Sequence, residues 1–532
     1  MYYGIDLGTT NSVISYGIEI ASKDFFELQT ITNQHGDVYT PSVIFFDEGE
    51  EPLVGKFALE SYKSEPFKTV RWVKRKMGID YNYKFGDREY NPQVMSAFIL
   101  NELKSYAEKG NIEDSIDKVV ITVPADFDNS AKQATIDAAR IAGFSEVHLI
   151  PEPNAAILNY IYKTVERNEI NEYFSIQEKY MLVFDLGGGT FDLSLSAISV
   201  NEEGQLLTRV ITSSGNKYLG GINFDNDLLI YVLKKAMKLY PKDIEPINEL
   251  LIAAEEGSED EDILNALAQL LRDCEACKEY LSQNKKRTIS FFSHQRKPYK
   301  VEINKSEFER LLKPYLTKIE ECVEDVLKQA MDSIVNFGGW DRLEGVLLVG
   351  GSTHIPAIRD YCKETFETEL IIGQEVYTSV SRGAAIYASI LYGKNAFIKE
   401  YNTVVPHDFY IRNNKNYYSI FEKGTTTKQK NLNYEIPFAL DTKAPIEIIQ
   451  KYYNETGDEI DVLLQTINYS HPFMFTGDTL EMNFELNEDL IMSVTAREDC
   501  IDDYVEVLIE NKSRLTEDEI NFEKSKIFDG DE

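Results

Sequence analysis

Cysteine is scarce: 532 residues carry only five. A chain of this length with so few has no disulfide framework, which points to a reducing compartment. Cys274 and Cys277 stand at C-x-x-C spacing, but they lie in LLRDCEACKEYL, a stretch of helical periodicity, and no second pair completes a zinc-type site. Buried or surface thiols are the expectation there. Long apolar runs are also missing, none approaching the roughly 18 residues that span a bilayer. The start MYYGIDLG has no basic stretch leading into an apolar one, as a secretory leader has. The expected setting is therefore the cytoplasm, without a membrane partner. Positive charge is in deficit, 55 basic against 89 acidic residues for a net charge of -34. That balance opposes an extended grip on a phosphate backbone and removes nucleic acid as a main partner, while it suits solubility.

What is present is an ordinary globular composition, 43% hydrophobic and 27% charged, with length for about three or four compact units. Up to about residue 395, short apolar runs that end in glycine or polar turns alternate with helical stretches. YYGIDLG, KVVITVPA, YMLVFDLGGG and LEGVLLVGGST read as buried strands, and SAKQATIDAARIAG reads as a helix stopped by Gly143. This is the pattern of layered α/β architecture. Beyond Gly393 the texture changes to alternation in twos, as in APIEIIQKYY and DTLEMNFELNEDLIMSVTA, which predicts a separate β-domain. The tail SRLTEDEINFEKSKIF opens on a Thr516-x-x-Glu519 capping box and reads as a short helix. The expected division is 1–395 for the α/β part, 396–404 for a linker, 405–511 for the β-domain and 512–532 for the tail helix.

Two stretches look like drafts of one motif: GIDLGTTNS (Gly4 to Ser12) and FDLGGGTFDLS (Phe184 to Ser194). In each, a strand delivers an aspartate, Asp6 or Asp185, to a turn of glycine and threonine that enters a second strand. Small residues let backbone N–H groups approach an anion, and threonine hydroxyls add donors, so each turn suits phosphate oxygens. A carboxylate beside phosphates is repelled unless a cation lies between, so the aspartates imply Mg2+, held directly or through water. Two such hairpins facing each other across a cleft would clamp a nucleotide's phosphates. LLVGGST (Leu347 to Thr353) offers a third glycine turn.

With VKRKMG (Val73 to Gly78), ITVPADFDNSAKQATIDAARIAG (Ile121 to Gly143), PEPNAA (Pro151 to Ala156), LGGINFDND (Leu219 to Asp227), LVGGSTHIP (Leu348 to Pro356), FELNEDLIMSVTA and NKSRLTEDEI (Asn511 to Ile520), these motifs run the length of the chain. In this order they resemble the seventy-kilodalton heat-shock chaperone family, and more distantly the actin and sugar-kinase superfamily. The resemblance implies a two-lobed actin-like ATPase domain with duplicated phosphate hairpins, then an all-β sandwich that binds peptide and a short C-terminal helix in place of a full lid. It implies that Gly8, Thr9, Thr10 and Asn11 meet the phosphates from one lobe and Gly187, Gly188, Gly189 and Thr190 from the other. Asp6, Asp185 and Asp192 would arrange the water shell of Mg2+, with K+ as a further ion. Lys74 would reach the γ-phosphate and the attacking water, and Glu152 with Asp192 would complete the polar ring around it. Read without the family pattern, Lys74 is a solvated charge beside Arg75 and Lys76. Gly220, Gly221, Glu275, Lys278, Ser282, Gly350, Gly351, Ser352 and His354 would line the rest of the ATP or ADP site. A relay from the nucleotide to the lobe surface would run through Pro124 and Lys132, a lysine where arginine is usual.

The chain departs from the family in places. Adenine there lies between two arginines, but Glu279 and His354 occupy those positions here, and a carboxylate does not give the same cation–π contact. His148 and Pro151 stand where the family has residues associated with J-domain co-chaperone docking. AFIKEYNTVVP replaces the apolar linker. Phe409, Ile411, Tyr418 and Ile420 read as core of the β-domain. The leading expectation is an ATP-dependent chaperone that binds unfolded or extended polypeptide, with a J-domain co-chaperone and a nucleotide-exchange factor as conditional partners. The alternative is a nucleotide-dependent adaptor whose β-domain binds one dedicated protein. A small-molecule kinase comes third and leaves the β-domain unexplained.

Overall fold

The chain up to Asn402 is built on two six-stranded sheets of the same internal order. The computed structural model describes residues 1–19, 26–47, 51–86, 88–110, 115–166, 175–203, 205–373, 377–393, 398–413, 416–435, 444–453, 459–469, 479–498 and 515–528. Cys500, residues 396–397 of the expected linker and residues 511–514 of the C-terminal motif lie outside them.

The lobe I sheet contains β1 (Tyr2–Asp6), β2 (Asn11–Glu19), β3 (Phe26–Thr30), β4 (Lys118–Val123) and β5 (Glu146–Pro151), in the order β5-β4-β1-β2-β3, with the two-residue strand Thr40–Pro41 paired to β2 as the sixth. β1 runs parallel to β4 and forms an antiparallel hairpin with β2, with Asp6 opposite Val13. Helices α1 (Pro92–Lys109), α2 (Asn129–Ile141) and α3 (Glu152–Glu166) belong to this part of the chain. The Asp128 carboxylate caps α2 by accepting from the Ala131 N–H at 2.8 Å, and Gly143 just beyond its end has φ +88. The alanines of α2 are fully buried beside Val94, Leu100 and Ile121 in one core.

Lobe II has β6 (Lys179–Leu186), β7 (Phe191–Val200) and β8 (Leu206–Asn216). It also has α4 (Gly221–Leu239), α5 (Ile244–Glu256), α6 (Glu261–Leu281) and the hairpin β9 (Lys286–Phe292) and β10 (Pro298–Asn304). After α7 (Lys305–Ser333) come β11 (Leu343–Val349), α8 (Pro356–Phe366), β12 (Leu370–Ile372) and α9 (Ser379–Tyr392). β6 is nearly all apolar because the sheet is covered on both faces. It too is parallel to one neighbour, β11, and hairpinned to the next, β7, with Asp185 opposite Asp192. Cys274 and Cys277 are buried thiols in the α6 core, and burial pushes them up, Cys277 to about 11. α9 returns to lobe I, where the Ser381 and Ser15 hydroxyls pair at 2.8 Å.

Residues 398–402 of the expected linker form a strand, β13 (Ile398–Asn402), that extends the lobe II sheet parallel to β8. Two further sheets follow. One runs β15-β14-β17-β18, from β14 (Phe409–Asn413), β15 (Asn416–Phe421), β17 (Ala444–Tyr453) and β18 (Glu459–Tyr469). The other runs β16-β19-β20, from β16 (Gln429–Glu435), β19 (Thr479–Leu486) and β20 (Met492–Glu498). Phe409, Ile411, Ile420 and Ile448 of the first share a core with Met482, Phe484 and Val494 of the second, so the sheets pack face to face. Tyr418 corrects the core expectation: it is 46% exposed, because β15 is an edge strand and only its last residues are covered. α10 (Glu517–Phe528) begins at the expected capping box, Thr516 N–H donating to Glu519 and the Glu519 N–H to Thr516 Oγ1. It lies on lobe I, with Ile520 buried in the core of α1 and α2 and Glu517 paired to Arg140 at 3.0 Å. Burying one such isoleucine is worth about 1.5–3 kcal/mol.

Candidate active site

The turns of the β1–β2 and β6–β7 hairpins press against each other across a cleft of about 1040 Å3. A Cβ added to Gly188 would fall 2.6 Å from Thr10 Cγ2, and one on Gly189 would fall 2.5 Å from Thr9 Cγ2. Glycine at these positions thus leaves room for the facing threonines as well as for an anion. Each turn is held by its own bonds. Gly8 N–H donates to Ser12 Oγ at 3.2 Å, and Gly187 N–H to the Thr190 carbonyl at 3.0 Å. The start of α4 is tied to the second turn, Ile222 N–H donating to the Gly188 carbonyl at 2.8 Å. Gly8, Thr9, Thr10, Asn11, Gly187, Gly188 and Thr190 line the cleft; Gly189, Gly220 and Gly221 stand behind it.

Lys74 sits in a turn of 3-10 helix, Val73–Lys76, and is buried rather than solvated. Its ammonium pairs with the Glu152 carboxylate at the start of α3. Asp6, Asp185 and Asp192 gather around that pair. Burial, and then Glu152, push Asp6 up to about 7 against the pull of Lys74 and of the Thr122 hydroxyl bonded to it at 3.2 Å. Asp185 and Asp192 are also raised well above the ordinary carboxylate range, by burial first and by Glu152 next. One lysine does not balance four carboxylates, so the pocket favours added positive charge. Asp192 Oδ2 is buried without a hydrogen-bond partner among the described residues, which suits a bound cation or its water. No three acidic, histidine or cysteine side chains among the described residues converge to ligate an ion directly, so the donor set fits an ion reached through water.

The third glycine turn closes the far wall. Gly350 has φ +81, and a Cβ there would fall 2.4 Å from the Leu186 carbonyl oxygen; Ser352 Oγ donates to the Gly187 carbonyl at 2.8 Å. Gly350, Gly351, Ser352 and His354 line the cleft with Glu275, Lys278 and Ser282 from α6 and the residue after it. Glu275 and Lys278 are already engaged: Glu275 with Arg71 and Arg272, Lys278 with Asp225 at 2.6 Å. Glu279 lines the same cleft, and the Arg359 guanidinium donates to His354 Nδ1 at 2.6 Å.

Several residues in or beside the cleft had no role assigned from the motifs. Arg71 bridges from lobe I to Glu275 of lobe II. Arg75, beside Lys74, donates to the Gly189 carbonyl at 2.9 Å, the Tyr218 carbonyl at 3.1 Å and Asn223 Oδ1. Arg272, paired to Glu275, and Arg359, bonded to His354, also line the cleft. The only local signal was the basic run from Arg71 to Lys76, which reads equally well as a solvated face.

The segment after β4 joins this site to the β-domain. Ala125 N–H donates to Asp192 Oδ1 at 2.6 Å. Two residues further, the Phe127 carbonyl meets His407 Nε2 at 3.2 Å, and Asn129 N–H donates to Gln450 Oε1 at 3.2 Å. Lys132 is buried near Asp128 and Asp489, and burial lowers it to about 8. On the next strand Leu149 N–H donates to Asp489 Oδ1 at 2.8 Å, and His148 Nδ1 stands 3.4 Å from the same oxygen.

This architecture and this cleft agree with what known proteins resemble. The family model described as Hsp70 protein matches residues 2–86 and 79–526. The chain belongs to the Hsp70 family. It is 34% identical over 403 residues to the chaperone protein DnaK of Thermosipho melanesiensis, covering 74% of this chain and 59% of the relative. It is 34% identical over 397 residues to that of Thermotoga maritima, covering 73% and 59%. With that of Mycoplasmopsis synoviae the identity is 35% over 395 residues, covering 73% and 58%. The matches thus span about three-fifths of the length of these relatives. Among the described residues no helix is long and apolar enough to cross a membrane.

Proposed function

We propose that this chain is an ATP-dependent chaperone: an ATPase over 1–395, a connecting segment over 396–404, a peptide-binding β-sandwich over 405–511 and a C-terminal helical segment over 512–532. The observation that carries the reading is the buried Lys74–Glu152 pair among Asp6, Asp185 and Asp192, at the meeting of two glycine–threonine turns. Phosphoryl transfer to water asks for charge neutralisation and an aligned nucleophile more than for a strong base. The backbone N–H groups and hydroxyls of Gly8 to Asn11 and Gly187 to Thr190 hold the phosphates from the two lobes. Lys74 donates toward the γ-phosphate, and Glu152, released from it in part, orients the attacking water as the bond to the leaving diphosphate breaks. Asp6, Asp185 and Asp192 would hold Mg2+ through water, with K+ as a second ion. When bound, Mg2+ neutralises charge on the phosphate oxygens. The chain Asp192, Ala125, Phe127 and Asn129 to His407 and Gln450 supports coupling between hydrolysis and the β-domain. A J-domain co-chaperone and a nucleotide-exchange factor are the partners that fit such a cycle.

The test is single-turnover ATP hydrolysis with and without an excess of extended apolar peptide. The wild-type rate should rise with peptide, and Lys74→Ala should lose on the order of 10²–10³ in rate while still binding ADP. Hydrolysis indifferent to peptide would leave an ATPase whose β-domain serves one dedicated partner. Failure to bind both ATP and peptide would remove the reading.

A further inference from the structure

Exposure separates the floor of the cleft, where Lys74 is buried, from its mouth. Tyr39, after β3, and Tyr377, before α9, meet at the mouth with ring centroids 5.4 Å apart and planes tilted by 33°. They are 36% and 49% exposed, so neither ring is wedged in a core, and side-chain rotation parts them. Glu279 lines the same cleft. The Tyr377 hydroxyl is raised by burial, then by Tyr39, and last by Glu279. His354 does not supply a cation: it accepts from Arg359, and burial together with that guanidinium lowers its pKa. The cleft therefore offers aromatic faces and the Glu279 carboxylate, with the guanidinium groups of Arg272, paired to Glu275, and Arg359, bonded to His354, also in its lining.

We propose that Tyr377 and Glu279 select the base of the bound nucleotide, the base stacking on the Tyr377 ring with Tyr39 closing over it and the Glu279 carboxylate accepting from donors on the base edge. A carboxylate accepts only, so among the purines the base is one that carries an amino group, adenine through its 6-amino group or guanine through N1–H and its 2-amino group. This rests on the nucleotide-cleft reading and deepens it.

The test is calorimetric titration of the full chain, with Mg2+, by ADP, GDP, purine riboside 5′-diphosphate and inorganic tripolyphosphate. Wild type should bind ADP or GDP at least about ten-fold more tightly than the purine riboside diphosphate, the scale of a hydrogen bond to a charged group. The tighter of the two identifies the edge that Glu279 reads. Glu279→Leu should erase the difference. Tyr377→Ala should weaken all three nucleotides by about five-fold or more and leave tripolyphosphate unchanged, while Tyr377→Phe behaves as wild type. Unchanged nucleotide affinity in Tyr377→Ala, an equal loss of tripolyphosphate, or no preference for the amino-bearing purines in wild type would overturn the proposal alone. No binding of any of the four to wild type would overturn the cleft reading and this proposal with it.

Discussion

Arg71 donates to Glu275 Oε1 at 2.6 Å and so ties a strand of lobe I to α6 of lobe II over the cleft. The side chains are only 8% and 13% exposed, and the guanidinium lies 4.6 Å from the Tyr62 ring and 4.5 Å from that of Trp72. Burial works against the Glu275 charge, but Arg71 and Arg272 outweigh it and hold the carboxyl below its ordinary range. Removing one member of a buried pair costs about 3–5 kcal/mol when the other charge is left unpaired, and less than that here because Arg272 still holds Glu275. Opening the cleft parts the two groups, so the pair opposes release of a nucleotide. Arg71→Ala should speed dissociation of a fluorescent ADP by at least about ten-fold, some 1.4 kcal/mol of that total. Stopped-flow release at the wild-type rate would mean that the pair persists when the cleft opens.

The contact between the hairpin turns predicts a rescue. Gly188→Ala places a methyl group 2.6 Å from Thr10 Cγ2 and 2.8 Å from Thr10 Oγ1. Overpacking of this kind costs about 1–3 kcal/mol, and here it separates the two turns. ADP affinity and the unfolding midpoint should both fall. Adding Thr10→Ala leaves the nearest atom of that residue at 3.3 Å, so the double variant should recover most of the midpoint. Equal loss in single and double variants would show that the turns do not meet as described.

His148 and Asp489 make the docking of the β-domain sensitive to pH. The Asp489 carboxylate, 3.4 Å from His148 Nδ1, is the main reason that His148 is raised above its ordinary 6.5, against partial burial, with Glu488 and Glu146 adding to it. A raised folded-state pKa gives stabilisation that is fully present below the ordinary value and is lost as pH rises through the raised one. His148→Gln should therefore lower the first unfolding midpoint more at about pH 6 than at about pH 8.5, by roughly 1 kcal/mol at most. The Leu149 N–H bond to Asp489 does not titrate and should persist in the variant. A midpoint difference that is flat with pH would deny the ion pair.

The elements were legible wherever local pattern and burial agree. KVVITVPA and YMLVFDLGGG are strands because apolar residues recur without interruption, and SAKQATIDAARIAG is a helix because alanine spacing, an Asp128 cap and Gly143 act within a few residues of one another. Tyr418 escaped the same logic, since alternation in twos does not tell an edge strand from a central one. Residues 398–402 read as a linker because a strand that only completes another sheet's edge needs no strong pattern of its own.

By itself the sequence determined the two acid, glycine and threonine turns, the strands that deliver them and the capped C-terminal helix, because each is a short-range consequence of backbone sterics and side-chain period. Tertiary structure alone decided that Gly188 meets Thr10, that Arg71 finds Glu275, that Tyr39 meets Tyr377 and that Asn129 and Phe127 reach Gln450 and His407. Each of these pairs is brought together by packing of whole lobes and sheets, over separations at which the chain's local chemistry holds no information about its partner.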